Sequence, residues 1–146
     1  MENYFAELYE RDLLRLRDEI KNFKDEGNIW RATDGVTNSA GTLTLHLIGN
    51  LSFTIGAKIG NTGYVRDRER EFSATGIPQA EIIADIENLV EIVKTSLTGI
   101  TQQQLESIYP LEMVGQKSTA WYLTFFYGHF TYHLGQINYL RRILEV

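Results

Sequence analysis

Hydrophobic side chains recur every three or four residues near the start of the chain, from about residue 3 to residue 23. Tyr9, Leu13, Leu16 and Ile20 form one apolar stripe in this segment, and several charged residues lie off the stripe. This spacing matches the period of an α-helix and predicts an amphipathic helix with one buried face. Gly27 follows the segment, as is typical just beyond the end of a helix.

Three further segments show the same period. A second helix is predicted over about residues 38–57, with Asn38 or Ser39 as its N-cap. A third begins at Pro78, because proline fits the first helical turn, and ends at Gly99. A fourth is predicted over about residues 118–144 and is apolar around much of its circumference, so we expect it to be the most buried helix.

Four amphipathic helices without a convincing strand pattern indicate an all-α fold, a four-helix bundle. The connection between the second and third helices, Lys58 to Ile77, is too long for a tight antiparallel turn. It is long enough to cross the bundle and leave these two helices parallel. The length of the chain predicts one domain over residues 1–146.

Composition and charge exclude several classes of protein. Because the chain has no cysteine, it is neither a disulfide scaffold nor a thiolate zinc protein, and it has no cysteine nucleophile. A net charge of −5 and an isoelectric point near 5.2 argue against nucleic acid as a partner, since phosphate binding needs a basic surface. We find no secretory signal and no membrane span, and therefore expect a cytoplasmic protein.

The chain has three histidines, and all three fall within apolar stripes. His129 and His133 are four residues apart, which places both rings on one face of the fourth helix, and His46 lies midway along the second. A buried neutral imidazole needs a partner for each ring nitrogen, and one divalent ion can serve three rings at once. Three nitrogen ligands also leave a coordination position open for water or substrate.

The alternative for each histidine is an ordinary core residue with hydrogen-bonded ring nitrogens. Two common metal motifs, His-Glu-x-x-His and Glu-x-x-His, are missing from the sequence. No acidic residue lies close to the histidines along the chain to act as a general base. Asp12 or Glu19, on the first helix, is our hypothesis for that role.

The residues around the histidines form recognisable motifs. His46 to Leu51, HLIGNL, resembles the second-helix histidine motif of the DinB-like (YfiT-like) superfamily of metal-dependent enzymes. Residues 129–136, HFTYHLGQ, are similar to its His-x-x-x-His-x-x-Gln motif. Residues 61–68, NTGYVRDR, look like a loop found in an uncharacterised branch of the same superfamily.

This resemblance implies a four-helix bundle with up-down-down-up topology, often a homodimer, in which His46, His129 and His133 hold a divalent metal. The identity of the metal stays open between zinc, nickel, manganese and iron. Superfamily members of known activity include transferases for low-molecular-weight thiols, so we expect a thiol transferase acting on small electrophiles, or a hydrolase. The alternative is a non-catalytic metal-binding or stress-related interaction protein of the same fold.

Other residues are candidates for supporting roles. Asn50 and Gln136 are one turn from a histidine and could orient its ring, although both could equally be ordinary buried amides. Glycine within a helix is unfavourable by up to ~1 kcal/mol relative to alanine, so Gly49 and Gly128 indicate close packing or substrate access. Aromatic and basic residues that could line a substrate pocket, rather than core or solvated loop, are Trp30, Tyr64, Arg66, Arg68, Trp121 and Tyr127.

Overall fold

The computed structural model describes residues 4–146, and over these residues the protein is all-helical. Among these described residues, no helix is both long and apolar enough to cross a membrane. A 3₁₀ segment covers Glu26–Trp30, and a π-helical segment, Ser52–Ala57, directly continues the second α-helix. The six α-helices are α1 Tyr4–Lys21, α2 Ala40–Leu51, α3 Arg68–Ser73, α4 Gln79–Thr98, α5 Gln102–Glu106 and α6 Thr119–Leu144.

The four segments predicted from periodicity correspond to α1, α2 with its π-helical continuation, α4 and α6. The predicted start of the first helix, residue 3, lies outside the described residues. Ser39 rather than Asn38 caps α2, because its hydroxyl accepts a hydrogen bond from the backbone N–H of Thr42. The two short helices were not predicted, since α3 lies within a charged run and α5 has only five residues.

The long helices enclose one main hydrophobic core. α1 packs against α4 and α6, and α2 packs against the same two helices from the other side. Tyr9 in α1 donates a hydrogen bond to the carbonyl of Leu123 near the start of α6, and Arg141 near the end of α6 donates to Glu19. Between α1 and α4, Lys94 near the end of α4 donates to Glu10 in α1.

The expectation that the last helix is the most buried is wrong. All residues of α2 except Ile48 are buried, whereas Trp121, Phe125 and Tyr132 of α6 are exposed. The sequence pattern misled because aromatic side chains surround α6 on more sides than the core can cover. α2 therefore carries the buried histidine, His46, and α6 carries the two half-buried ones, His129 and His133.

The π-helical segment after α2 is held in place by Tyr109. The amides of Lys58 and Gly60 each reach back five residues, to the carbonyls of Phe53 and Ile55. The carbonyl of Thr54, which lies between these two acceptors, instead receives a hydrogen bond of 2.8 Å from the buried hydroxyl of Tyr109. This bond satisfies a buried backbone acceptor within the irregular turn.

Candidate metal centre

The three histidines meet where α2 packs against α6. Their ring centroids are 5.0 Å apart for His46 and His129, 5.4 Å for His46 and His133, and 4.5 Å for His129 and His133. Taking one nitrogen from each ring, the three atoms lie within 4.8 Å of one another. His46 is buried and the other two are half-buried, so the cluster can be reached from outside. The predicted convergence of the three rings is therefore observed.

Hydrogen bonds on the far side of two rings orient them toward the cluster. Nδ1 of His46 lies 3.0 Å from a carboxylate oxygen of Glu71, and Nδ1 of His133 lies 2.7 Å from Oε1 of Gln136. Both acceptors require the proton on Nδ1, which leaves each Nε2 with a free lone pair. Nε2 of His46 in turn lies 3.2 Å from Nε2 of His129. The Nε2 atoms are thus the ones available for a shared cation.

Two buried polar atoms near the cluster have no hydrogen-bond partner. One is Nδ1 of His129, and the other is Oδ1 of Asn50, which lies one turn beyond His46 on α2. If Nε2 of His129 binds a cation, its Nδ1 becomes a donor, whereas Oδ1 of Asn50 is always an acceptor. The two atoms are therefore of opposite hydrogen-bonding type when Nε2 of His129 binds a cation.

Burial lowers the pKa of two of the imidazoles, those of His46 and His129. It lowers the pKa of His129 to about 4, and the neighbouring His133 and His46 act in the same direction. It also lowers the pKa of His46, with the nearby carboxylate of Glu71 acting in the opposite direction. Since metal ligation requires a neutral imidazole, a lowered pKa means that fewer protons compete with a cation near pH 7.

Glu71 in α3 is the functional residue that sequence analysis missed. Only 5% of its surface is exposed, and Arg66 binds its two carboxylate oxygens through Nε and Nη2, each at 2.8 Å. The alternating charges of residues 66–71 are typical of a solvated run, but the side chains of Arg66 and Glu71 are only 13% and 6% exposed. The neighbouring Phe72 gave no clear signal, because its side chain is itself 41% exposed.

The hypothesis that a carboxylate of α1 approaches the histidines is wrong. Asp12 accepts hydrogen bonds from Arg11, Arg15 and Tyr127, and Glu19 accepts from Arg141. These partners hold both carboxylates at the interface between α1 and α6. The carboxylate that contacts a histidine comes from the connection between α2 and α4.

A glycine of α2 makes room for Glu71. A Cβ atom added to Gly49 would overlap the carboxylate of Glu71, so even alanine would displace it. Gly128, on α6, has open space where a Cβ would lie. The predicted packing role therefore applies to Gly49, and it now has a specific partner.

The candidate pocket residues separate into two groups. Arg66 contacts Glu71 and also approaches Nδ1 of His46 at 3.4 Å, while Arg68 lies over the ring of Phe72. Phe72 in turn lies against the ring of His46, with centroids 5.0 Å apart. The connection between α2 and α4 thus covers His46 with one carboxylate and one aromatic ring.

The remaining candidates lie in different surroundings. Trp30 packs over Gly41 in α2 and donates a hydrogen bond to the carbonyl of Ile77. Tyr127 faces α1, where its hydroxyl donates to Asp12, and Tyr64 lines a small cavity that also contains Glu71. Of the aromatic candidates, Trp121 shares a groove with a histidine.

Two openings reach the histidine cluster from different sides. The first, here called the aromatic groove, has a volume of about 850 Å³ and contains His129 with Trp121, Phe125 and Tyr132. The second, the loop cleft, has a volume of about 400 Å³ and contains His133 beside Gln136 and the backbone segment 33–38. Small molecules can therefore approach the cluster along α6 from two directions.

The fold and the cluster define a class: an all-helical protein with three histidines that could hold a metal ion. A family model described as "Protein of unknown function (DUF1572)" matches residues 7–146, and the chain belongs to this family. Comparison with curated proteins gives no match. The family description assigns no reaction, so the function has to be argued from the site itself.

Proposed function

We propose that this protein binds one divalent transition-metal ion through the Nε2 atoms of His46, His129 and His133. The observation that carries the proposal is the orientation of the rings. Nδ1 of His46 faces Glu71 and Nδ1 of His133 faces Gln136, so the remaining nitrogens point at one another. Ligating histidines commonly donate their second N–H to such an acceptor.

The donor set fits a borderline-soft divalent ion. Imidazole nitrogens suit zinc, nickel, copper and iron, whereas magnesium and calcium prefer oxygen ligands. Without an ion, Nε2 of His46 and Nε2 of His129, 3.2 Å apart, can be joined only by a hydrogen bond in which His129 donates. That hydrogen bond pairs two of the rings, whereas a shared cation takes the Nε2 lone pair of all three.

We further propose that the chain is a DinB-like four-helix bundle with up-down-down-up topology. The contacts of α1 support this arrangement, because its start meets the start of α6 and the end of α4. The long connection that contains α3 would then run between two parallel helices. This topology brings the middle of α2 beside the middle of α6, where the three histidines lie.

The proposed activity is that of a metal-dependent enzyme, either a low-molecular-weight-thiol transferase or a hydrolase. A divalent ion in this position supplies a Lewis acid that lowers the pKa of a coordinated water or thiol. The chain contributes three imidazole ligands, and its two openings offer separate approaches for two reactants. Entry and release of an ion need one opening, so the presence of two favours the enzyme over a metal store.

The metal site is tested by elemental analysis of protein purified without an affinity tag, followed by titration of the metal-free protein with Zn²⁺, Ni²⁺ and Mn²⁺. We expect one ion per chain and a dissociation constant below 1 μM for at least one metal, since three imidazoles act together. His46→Ala should abolish this binding, whereas Tyr139→Phe, on the exposed side of α6, should leave it unchanged. Failure to bind any of the three metals would refute the proposal.

The catalytic part needs a separate experiment. The metal-loaded protein is incubated with a low-molecular-weight thiol and an aromatic electrophile, and in parallel with activated esters. Turnover that is lost in His46→Ala supports the enzyme. Tight metal binding without turnover of any of these substrates favours the alternative, a non-catalytic metal-binding protein of the same fold.

A further inference from the structure

We infer that Glu71 is a positioning residue for His46: it fixes the tautomer in which Nε2, rather than Nδ1, is free to bind a cation. Arg66 holds the carboxylate in place, and Gly49 provides the space it occupies. The metal-binding part of this inference rests on the proposed function, whereas the tautomer can be measured without any metal.

The geometry around Nδ1 of His46 distinguishes the two tautomers. Oε1 of Glu71 lies 3.0 Å from this nitrogen and can only accept, because Arg66 donates to both carboxylate oxygens. The proton of the neutral imidazole therefore belongs on Nδ1. Without the carboxylate, the nearest polar group would be Nη2 of Arg66, at 3.4 Å from the same nitrogen.

Arg66 would then select the opposite tautomer. A guanidinium group can only donate hydrogen bonds, so Nδ1 would have to accept and the proton would move to Nε2. The nitrogen that faces His129 would no longer have a lone pair. Glu71 therefore has two effects on the ring: it accepts the Nδ1 proton, and it occupies the guanidinium that would otherwise reverse the tautomer.

The position of the carboxylate depends on the missing side chain at residue 49. A Cβ on Gly49 would overlap the carboxylate of Glu71, which is the end of a flexible side chain and can move more easily than the helix backbone. Gly49→Ala is therefore expected to displace the carboxylate without changing a charge, a metal ligand or Arg66. This variant moves the carboxylate of Glu71 but keeps it in the protein, so it tests the position of the carboxylate separately from its removal.

A purely structural role would make a different prediction. If the pair of Arg66 and Glu71 only fastened α3 to α2, removing it would lower stability and leave the His46 tautomer unchanged. The side-chain exposures, 13% for Arg66 and 6% for Glu71, are compatible with either role. The tautomer is the property on which the two interpretations differ.

The test uses the full chain, labelled with ¹⁵N, in the metal-free state near pH 8. Long-range ¹H–¹⁵N spectra identify which nitrogen of His46 carries the proton in the unmodified protein, Glu71→Ala and Gly49→Ala. Gly128→Ala is the matched control, because it adds the same methyl group to a long helix where nothing lies within 4 Å. Circular dichroism checks that each variant is folded. If either Glu71→Ala or Gly49→Ala is unfolded, the other of these two variants decides.

We expect Nδ1–H in the unmodified protein and in Gly128→Ala, and a shift toward Nε2–H in Glu71→Ala and Gly49→Ala. Zinc affinity, measured by competition with a chelating dye, should fall 10- to 100-fold in the two shifted variants, the usual effect of removing an outer partner of a ligand. An unchanged tautomer in the folded variants would overturn the inference. If the unmodified protein binds no metal, the proposed function fails, and the tautomer result still decides the role of Glu71.

Discussion

Metal binding should raise the thermal stability of this protein by an amount that can be calculated. The perturbation is the removal of the ion with EDTA. At a free metal concentration 100 times the dissociation constant, binding to the native state alone stabilises by about 2.7 kcal/mol. The unfolding entropy of about 2.1 cal/mol/K per residue gives about 0.3 kcal/mol/K for 146 residues. We therefore expect the Tm to fall by about 9 °C when the metal is removed.

The assay is thermal unfolding followed by circular dichroism, with either excess zinc or EDTA present. His46→Ala and His133→Ala should each lose the metal-dependent shift, because two imidazoles bind far more weakly than three. Gly128→Ala, which adds a methyl group where nothing lies within 4 Å, should keep it. A Tm that is the same with zinc and with EDTA, or a shift of equal size in His46→Ala, would refute the reasoning that the three rings share one ion.

Three further outcomes are expected. In metal-free protein, the free energy of unfolding should decrease as the pH falls from 6.5 toward about 4, because burial lowers the pKa of His129 to about 4 and the unfolded chain then binds the extra proton. Urea titrations check this, and His129→Ala should show a smaller decrease. Asp12→Asn should destabilise by about 2 kcal/mol at pH 7, the scale of a hydrogen bond to a charged group. Burial raises the pKa of Asp12, but hydrogen bonds from Arg11 and Tyr127 bring it below its usual value. The contribution of Asp12 to stability is therefore present above about pH 4 and lost in acid. A destabilisation by Asp12→Asn that persists at pH 2 would contradict this. Tyr109→Phe should cost about 1 kcal/mol in chemical denaturation, because the carbonyl of Thr54 loses a buried donor, and an unchanged midpoint would count against that bond.

The long helices were predictable because each buries one regular stripe. Leu13, Leu16 and Ile20 in α1 are completely buried, as their spacing indicates. Periodicity could not rank the helices by burial, since it reports the direction of an apolar face and not what covers it. Phe125, for example, is four residues before His129 and shares its face of the last helix, yet Phe125 is 41% exposed.

The histidines could be placed from sequence because the four-residue spacing of His129 and His133 fixes them on one helix face. Gln136 could be placed too, since it lies one turn from His133. Glu71 could not, because it reaches His46 from a connection 25 residues away, and its position depends on the N-cap of a helix of only six residues. A local cap of this kind, made by Asp67, leaves almost no periodic signal.

Some of the aromatic candidates do not line either opening beside the histidines. Trp30 and Tyr127 line neither the aromatic groove nor the loop cleft. The ring of Trp30 covers Gly41, and the hydroxyl of Tyr127 donates to Asp12. An aromatic residue in an apolar stripe fits core and pocket equally well. Only the positions of the neighbouring helices distinguish the two.

The position of Glu71 in the connection between α2 and α4 links occupancy of the cluster to protection of that connection from proteases. Arg66, Arg68 and Arg70 are cleavage sites for trypsin in this stretch, and cleavage requires local opening that would pull Glu71 away from His46. Anything that favours the native orientation of His46 must, by thermodynamic reciprocity, oppose this opening. The rate of nicking by trypsin would therefore report on what the three imidazoles hold.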